Sequence, residues 1–389
     1  MVVTRKKLKL PSKEQHKLCM VTGVLSLVAL SVLGASIAYY FTPTRLTPCE
    51  LVEGLCFNRP AGIPPPASVR EFTDAEVAAF AVAREVLAPS RVGGWVPKVA
   101  FMFLTAGPLP LEFVWENFFK GHENKYTVYV HASELATMKS VWKSKVFKGR
   151  AIPSGKVYWG GIEMIDAERR LLARALSDHD NQFFVLLSET CIPVHDFNYI
   201  YGSLMNSTYS FVDNFNDPGP HGVGRYLDRM LPEIHRGEWR KGAQWFAVMR
   251  KHAVLLVLDH LYYGKFRDFC RPGDDNRNCY PDEHYVQTYL HIMDASHLSN
   301  WTVTYVDWSD GGWHPKAYTA EEITVETLER IQSIDEHVHV SSDGHAIRTS
   351  VPCMWEGELR PCFLFARKFL PETAEILAKV LPEVINSRT

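Results

Sequence analysis

The sequence has no large excess of charge of either sign. Its 42 lysines and arginines nearly balance 44 aspartates and glutamates, which gives a formal net charge of −2. A polybasic composition, which would favour nucleic acid as a partner, is therefore absent. With 46% hydrophobic and 22% charged residues, the chain has the composition of an ordinary globular protein rather than a disordered one.

Motifs that bind metal ions are scarce as well. The chain has no Cys-x-x-Cys motif, and none of its 16 histidines forms a spacing that predicts a metal site. The Asp-x-Asp motif, with which many nucleotide-sugar transferases hold a divalent ion, occurs once, at residues 178–180. It precedes a predicted strand instead of following one, so we interpret it as a solvated turn between a helix and a strand. No metal cofactor is predicted.

Long apolar runs are confined to the N-terminus. Residues 18–41 contain no Asp, Glu, Lys, Arg or His and follow six basic residues. As a helix this run would span roughly 36 Å, enough to cross a bilayer core of about 30 Å. A cleavable signal peptide has a shorter apolar region, of about 7–15 residues. The pattern predicts a single-pass type II membrane protein with a cytoplasmic tail at residues 1–17, an anchor at 18–41 and a luminal remainder.

Two further features suit an oxidising lumen. Seven cysteines follow the anchor, and their close spacing favours three disulfides over a zinc site. The predicted pairs are Cys49 with Cys56, Cys270 with Cys279, and Cys353 with Cys362. Cys191 is left unpaired, and Asn206 and Asn300 begin sequons for N-glycosylation.

The luminal part divides into a spacer and a folded domain. Residues 42–96 are rich in proline and read as a stem that contains one amphipathic helix at 74–87. Residues 97–389 alternate strand and helix patterns, which predicts an α/β domain with a mostly parallel central sheet. Predicted strands are 99–104, 126–130, 183–187, 209–212, 245–249, 303–307 and 363–366. Predicted helices are 111–119, 162–176, 251–263, and a segment from the Thr319 capping box to about 333.

Ligands of such sheets bind beyond the carboxyl ends of the strands. The residues that follow the predicted strands are Thr105 and Ala106, His131, residues 188–190, and residues 213–214. They are the first candidates for a binding site.

The segment from Pro281 to Glu283 carries the most chemical information. Proline suits the first position of a helix, which would place Asp282 and Glu283 in its first turn. Acidic residues there commonly do no more than complement the helix dipole, by about 0.3–1 kcal/mol. The alternative is a catalytic carboxylate held still by the loop at residues 270–279, whose ends the predicted disulfide would join.

Four segments resemble motifs of a known enzyme family. They are FVLLSETCIPV (184–194), WFAVMRK (245–251), CYPDEH (279–284) and FLFARKF (363–369). In this order and spacing they resemble the core-2/I-branching β-1,6-N-acetylglucosaminyltransferase family, glycosyltransferase family 14. Residues 224–234 and 239–242 resemble its plant branch. The resemblance covers roughly residues 98–369.

This resemblance implies a GT-A-like fold, a Golgi membrane location, and inverting, metal-independent transfer from a UDP-sugar to a glycan acceptor. Matched to the family motifs, Glu283 would be the catalytic base and Lys368 would bind the diphosphate. Arg348 or Arg360 would supply a second cation. The residue that contacts uracil after the second strand is acidic in the animal enzymes of the family, whereas this chain has His131 at that position.

Several assignments stay open from the sequence. Thr105 and Ala106 are further nucleotide-sugar candidates, and the acceptor candidates are Glu189, Arg225, Trp245 and Trp313. Trp245 and Trp313 could equally pack in the core, although a tryptophan face also suits a sugar ring. The donor sugar, GlcNAc or GlcA, and a homo-oligomeric state are undecided. A glycan hydrolase is disfavoured because it needs two well-placed carboxylates. A catalytically silent glycan-binding protein remains the alternative.

Overall fold

The computed structural model describes residues 72–87, 95–134, 142–273, 277–312 and 314–386, together with Ser31. Apart from Ser31, the predicted anchor lies outside these residues, as do the cysteines at 49 and 56, most of the predicted stem, and Trp313. Within the described part, no helix has both the length and the apolarity needed to cross a membrane. Phe72–Thr389 form one compact unit.

The described residues contain alternating helices and strands. The α-helices are α1 (Asp74–Leu87), α2 (Glu112–Phe119), α3 (Glu163–Leu176), α4 (Phe197–Met205), α5 (Arg250–Leu258), α6 (Leu261–Phe269), α7 (Tyr285–Asp294), α8 (Val325–Gln332) and α9 (Ala374–Asn386). The strands are β1 (Lys98–Thr105), β2 (Tyr126–Ala132), β3 (Asn181–Ser188), β4 (Ile192–Pro193), β5 (Ser210–Asp213), β6 (Ala247–Met249), β7 (Leu298–Asn300), β8 (Thr304–Val306), β9 (Glu336–Val340), β10 (Arg348–Pro352), β11 (Met354–Trp355), β12 (Glu358–Leu359) and β13 (Phe365–Arg367).

A six-stranded sheet in the order β2-β1-β3-β6-β5-β7 forms the centre of the unit. Strand β1 pairs parallel with β2 and β3, and β5 pairs parallel with β7, whereas β6 runs antiparallel to both of its neighbours. The carboxyl ends of β1, β2, β3 and β5 therefore lie along one edge. A smaller sheet, β4-β13-β8, brings the C-terminal FLFARKF motif into the fold. The predicted mostly parallel α/β architecture is confirmed.

Both faces of the central sheet are covered, as the continuous apolar run in β1 predicts. Ala100 and Met102 pack in the cluster that contains residues of α3 and α5. Phe101 and Phe103 point to the opposite face, towards Trp115 of α2, at ring centroid distances of 6.1 and 5.0 Å. This alternation follows from the two-residue period of a strand.

Two predicted helices have different bounds in the structure. The helix expected at 251–263 is two helices, α5 and α6, because Asp259 accepts hydrogen bonds from the backbone N–H groups of Tyr262 and Tyr263 and so begins a new helix. The Thr319 capping box closes only a 3₁₀ turn, Ala320–Glu322. Helix α8 begins later, where the Thr324 hydroxyl accepts the N–H of Thr327.

Helix α1 has the predicted bounds and packs on the folded unit. Asp74 forms an ion pair of 2.6 Å with Arg170 of α3, and Glu85 forms one of 2.6 Å with Arg250 of α5. Ala81 is buried against these helices. This part of the predicted stem therefore belongs to the same compact unit as the sheet.

Two of the three predicted disulfides are confirmed. Cys270 is bonded to Cys279, and Cys353 to Cys362. Cys191 is a free thiol, buried in the core, as the pairing leaves it. The Asp-x-Asp motif is a structural turn, because Asp178 and Asp180 each lie 3.1 Å from the ammonium group of Lys98, at the opposite edge of the sheet from the carboxyl ends of the strands.

Candidate active site

A cleft of about 1230 Å³ opens at the edge where the parallel strands end. Thr105, Ser188 and Asp213, the last residues of β1, β3 and β5, all line it. The sequence-predicted site residues that line the cleft are Thr105, Ala106, Glu189, Arg225, Trp245, Glu283, Arg348 and Lys368. Residues separated by up to 263 positions along the chain are thus brought to one place.

Glu283 lies at the end of a 3₁₀ turn, Pro281–Glu283, which leads into α7. Pro281 begins this turn, as predicted, and the Cys270–Cys279 disulfide closes the loop before it. The Glu283 carbonyl accepts the N–H of Gly242 at 3.0 Å. A Cβ atom at position 242 would lie 1.8 Å from the carbonyl oxygen of Asp213, so only glycine permits this close approach. The backbone of Glu283 is therefore fixed against the strand ends.

Arg225 positions the Glu283 carboxylate. Its Nη1 donates to Glu283 Oε2 at 2.5 Å, and its guanidinium stacks on the ring of Tyr280 at 4.8 Å. Among the residues that the structure describes, none donates a hydrogen bond to Glu283 Oε1. The carboxylate thus has one oxygen held by Arg225 and the other available to a ligand in the cleft. The sequence suggested that Arg225 contacts the acceptor. In the structure its contact is with the Glu283 carboxylate.

Two further carboxyl groups lie in or near the Pro281–Glu283 turn. Glu168 is buried, and burial raises its pKa well above the usual range, although Gln244 donates a hydrogen bond to it at 2.9 Å. Burial and the neighbouring charge of Glu283 raise the pKa of Asp282 to about 7. Asp282 Oδ1 is buried without a hydrogen-bond partner in the described structure. Asp282 is therefore partly protonated near neutral pH.

Replacing Asp282 with Asn should change the pH dependence of stability. The unfolded chain releases the Asp282 proton near pH 3.8, whereas the folded chain holds it up to about pH 7. Folding is therefore favoured at low pH, and this contribution is lost as the pH rises through that window. We expect the melting temperature of Asp282→Asn to match the wild type near pH 4 and to exceed it by several degrees at pH 8, measured by calorimetry. A constant difference at all pH values would contradict the buried acid.

The cations expected at the diphosphate fall into two groups. Lys368, which follows β13, and Arg348, which begins β10, both line the cleft. Arg360 does not line it and instead lies 3.8 Å from Glu358 and over the ring of Trp355 at 5.6 Å. Of the two arginines left open by the sequence, Arg348 is the one that lines the cleft, as Lys368 does.

Arg367 is a cleft residue that sequence reasoning missed. Its guanidinium lies 4.4 Å from the ring centroid of Trp245, and its Nε is buried without a hydrogen-bond partner in the part of the chain described. Burial lowers the pKa of Arg367 below the usual arginine value. One face of Trp245 is therefore covered by a cation rather than open to a sugar. The signal was present in the FLFARKF motif, where Arg367 precedes Lys368.

His131 does not line the cleft. It is fully buried at the end of β2, where its Nε2 faces the N–H of Gly155 at 3.2 Å and Arg170 Nη1 at 3.5 Å. Burial and the Arg170 charge lower its pKa to about 4, so it is neutral at physiological pH. His131 therefore lies within β2 as a buried imidazole, outside the residues that line the cleft.

Among the predicted positions that remain are the two sequon asparagines, Trp313, and Thr105, which is buried. Asn206 and Asn300 both have exposed side chains, as a glycan acceptor requires. Trp313 lies outside the described residues, although its neighbours Gly312 and His314 line the cleft. Thr105 turns its hydroxyl to the local loop, donating to the Pro108 carbonyl at 2.9 Å.

Comparison with known proteins shows which protein family this chain resembles. Residues 99–332 match the model of the Core-2/I-Branching enzyme family. The chain is also 36% identical over 302 residues to a rice protein, Glycosyltransferase BC10 of Oryza sativa subsp. japonica, covering 70% of this chain and 73% of that protein.

The chain therefore belongs to the Core-2/I-branching enzyme family, in its plant branch, and is a glycosyltransferase. Its family implies a nucleotide sugar and a glycan as its partners.

Proposed function

We propose that this chain is an inverting, metal-independent glycosyltransferase that moves GlcNAc or GlcA from a UDP-sugar to a glycan hydroxyl and forms a β-linked branch. The observation that carries the proposal is that Glu283 and Lys368 line the same cleft. The displacement requires a carboxylate that accepts the proton of the acceptor hydroxyl and a cation that stabilises the departing diphosphate.

Glu283 is the general base in this proposal. A sugar hydroxyl is a poor nucleophile, and a carboxylate that accepts its proton as the new bond forms accelerates transfer by about 10²–10⁴-fold. Arg225 occupies Oε2 at 2.5 Å, which directs Oε1 towards the acceptor. The hydroxyl oxygen attacks the anomeric carbon, the bond to the UDP oxygen breaks, and the α-linked donor becomes a β-linked product.

Lys368 and Arg348 stabilise the leaving group. The departing UDP gains negative charge on its diphosphate as the glycosidic bond breaks, and fixed ammonium and guanidinium groups stabilise that charge. Arg367 is a third cation that lines the same cleft. These residues supply, from the chain itself, the positive charge that a divalent ion provides in other transferases.

The proposal includes a location for the enzyme in the Golgi membrane. The apolar run at residues 18–41, with basic residues before it, supports a Golgi membrane protein of type II with the cleft in the lumen. The two disulfides of the folded unit suit that compartment.

A donor screen tests the function. The purified full-length chain is incubated with UDP-GlcNAc, UDP-GlcA, UDP-Gal and UDP-Glc, with and without EDTA, and released UDP is measured. We expect one donor to be turned over at a rate that EDTA leaves unchanged. Turnover abolished by EDTA and restored by Mn²⁺ would contradict the metal-independent step. UDP binding without turnover of any donor would favour the silent glycan-binding alternative.

A further inference from the structure

Three side chains of types that can ligate a metal ion converge in the lining of the cleft. Asp213 ends β5, and His337 and His339 lie on β9, and all three line the cleft. Their ligand atoms lie within 4.8 Å of one another. None of them has a part in the transfer chemistry proposed above.

The two imidazoles approach one carboxylate oxygen. His339 Nε2 lies 2.5 Å from Asp213 Oδ1, and His337 Nε2 lies 3.3 Å from the same atom. Ligand atoms about 2.1 Å from a tetrahedral ion are about 3.4 Å apart. The His337 contact already has this spacing, and the His339 contact would open by about 1 Å, a change within reach of side-chain rotation.

The surroundings orient each ligand. Asp213 Oδ2 accepts the N–H of Ala243 at 2.8 Å, which leaves Oδ1 as the oxygen that faces the histidines. The ring of Phe215 stacks on His339 at 4.3 Å. Hydrogen bonds that fix the orientation of a ligating carboxylate, as Ala243 does here, are typical of metal sites.

Strand geometry explains the convergence. Residues two apart on a strand point to the same face, so His337 and His339 present both imidazoles together. The His-x-His spacing was present in the sequence, but nothing there showed that it would face Asp213, 124 residues earlier.

We propose that Asp213, His337 and His339 bind a divalent transition-metal ion, with Zn²⁺ as the ion that this donor set fits best. Two imidazoles and one carboxylate are a common set for zinc with three protein ligands. Mg²⁺ and Ca²⁺ prefer oxygen ligands alone and are disfavoured by the imidazoles. Because the site faces the cleft, a remaining coordination position is open to water or a ligand.

The bound ion would tie the β9–β10 hairpin to the central sheet. This hairpin carries Arg348 into the cleft and is otherwise joined to the β5 end by Ser342, whose N–H and hydroxyl both contact Asp217, at 2.8 and 2.6 Å. With these contacts, and with the hydrogen bonds between Asp213 and the histidines, the hairpin stays in place without the ion. Zinc binding therefore does not conflict with transfer that resists EDTA.

Zinc titration of the purified full-length chain tests this proposal. The chain is prepared without a polyhistidine tag, stripped with a chelator, dialysed, and titrated with ZnCl₂ by calorimetry. We expect one tight site per chain in the wild type, and affinity at least tenfold weaker in His337→Ala and in His339→Ala. His345→Ala, which removes an exposed histidine of the same hairpin, should bind as the wild type does.

A second measurement does not depend on the folding of the variants. Co²⁺ added to the stripped wild-type chain should give the visible absorption bands of a low-symmetry site with histidine ligands, and Zn²⁺ should displace them. The proposal would be overturned by absence of these bands, by absence of a tight zinc site in the wild type, or by wild-type zinc affinity in both histidine variants. Donor turnover plays no part in any of these results, so failure here is separate from failure of the transferase function.

Discussion

Replacing Glu283 with Gln should lower kcat for sugar transfer by about 10²–10⁴-fold while leaving UDP affinity unchanged. Glutamine keeps the shape of the side chain and an oxygen that can accept from Arg225, but it cannot take a proton from the acceptor. The loss should therefore fall on the chemical step. Steady-state transfer rates and calorimetric titration with UDP separate the two quantities.

Glu321→Gln is the matched control for this substitution. Glu321 is exposed in the 3₁₀ turn before α8 and does not line the cleft. Its variant should transfer sugar at the wild-type rate. A Glu283→Gln enzyme with a normal kcat would remove Glu283 from the base role.

Replacing Lys368 with Ala should weaken UDP binding by about 10–100-fold. A hydrogen bond to a charged group contributes about 1.5–3 kcal/mol, and each 1.4 kcal/mol changes affinity tenfold. Transfer should fall by at least as much, since the same charge stabilises the leaving diphosphate. UDP affinity is measured by calorimetry and transfer by UDP release.

The two arginines left open by the sequence give a paired comparison. Arg348→Ala should weaken UDP binding, although less than Lys368→Ala because Arg348 is exposed on its hairpin. Arg360→Ala should have no effect on UDP, since its guanidinium faces Glu358 and Trp355. The reverse order of effects, or wild-type affinity in Lys368→Ala, would contradict the placement of the diphosphate.

The sequence predicted the parts of the fold that depend on local pattern. The continuous apolar run of β1 indicated a strand covered on both faces, and the short spacing of Cys270 and Cys279 indicated a disulfide that the structure contains. Helix ends were less accurate where a side chain competes for the backbone. Asp259 interrupts an otherwise continuous helical pattern by accepting a backbone hydrogen bond. The periodicity of apolar residues, from which the helix was predicted, does not show this interruption.

Several residues that line the cleft were predicted from the sequence, but the contacts between them were not. Glu283 and Lys368 were found from short motifs, yet no pattern shows that Arg225 would donate to Glu283 across 58 positions. His131 was predicted to follow a strand, but β2 extends through it to Ala132, and its side chain is buried beside Arg170 instead of in the cleft. Side-chain direction after a strand depends on tertiary packing, which a single sequence does not encode in a readable pattern.

A crystal structure of the chain with UDP would show whether one cleft serves both the donor and Glu283. We expect UDP in the cleft at the carboxyl ends of β1, β3 and β5, with its diphosphate within hydrogen-bond distance of Lys368 and with the Glu283 carboxylate facing the space beyond the terminal phosphate. UDP bound outside this cleft, or bound with its diphosphate remote from Lys368 and on the far side from Glu283, would contradict this expectation.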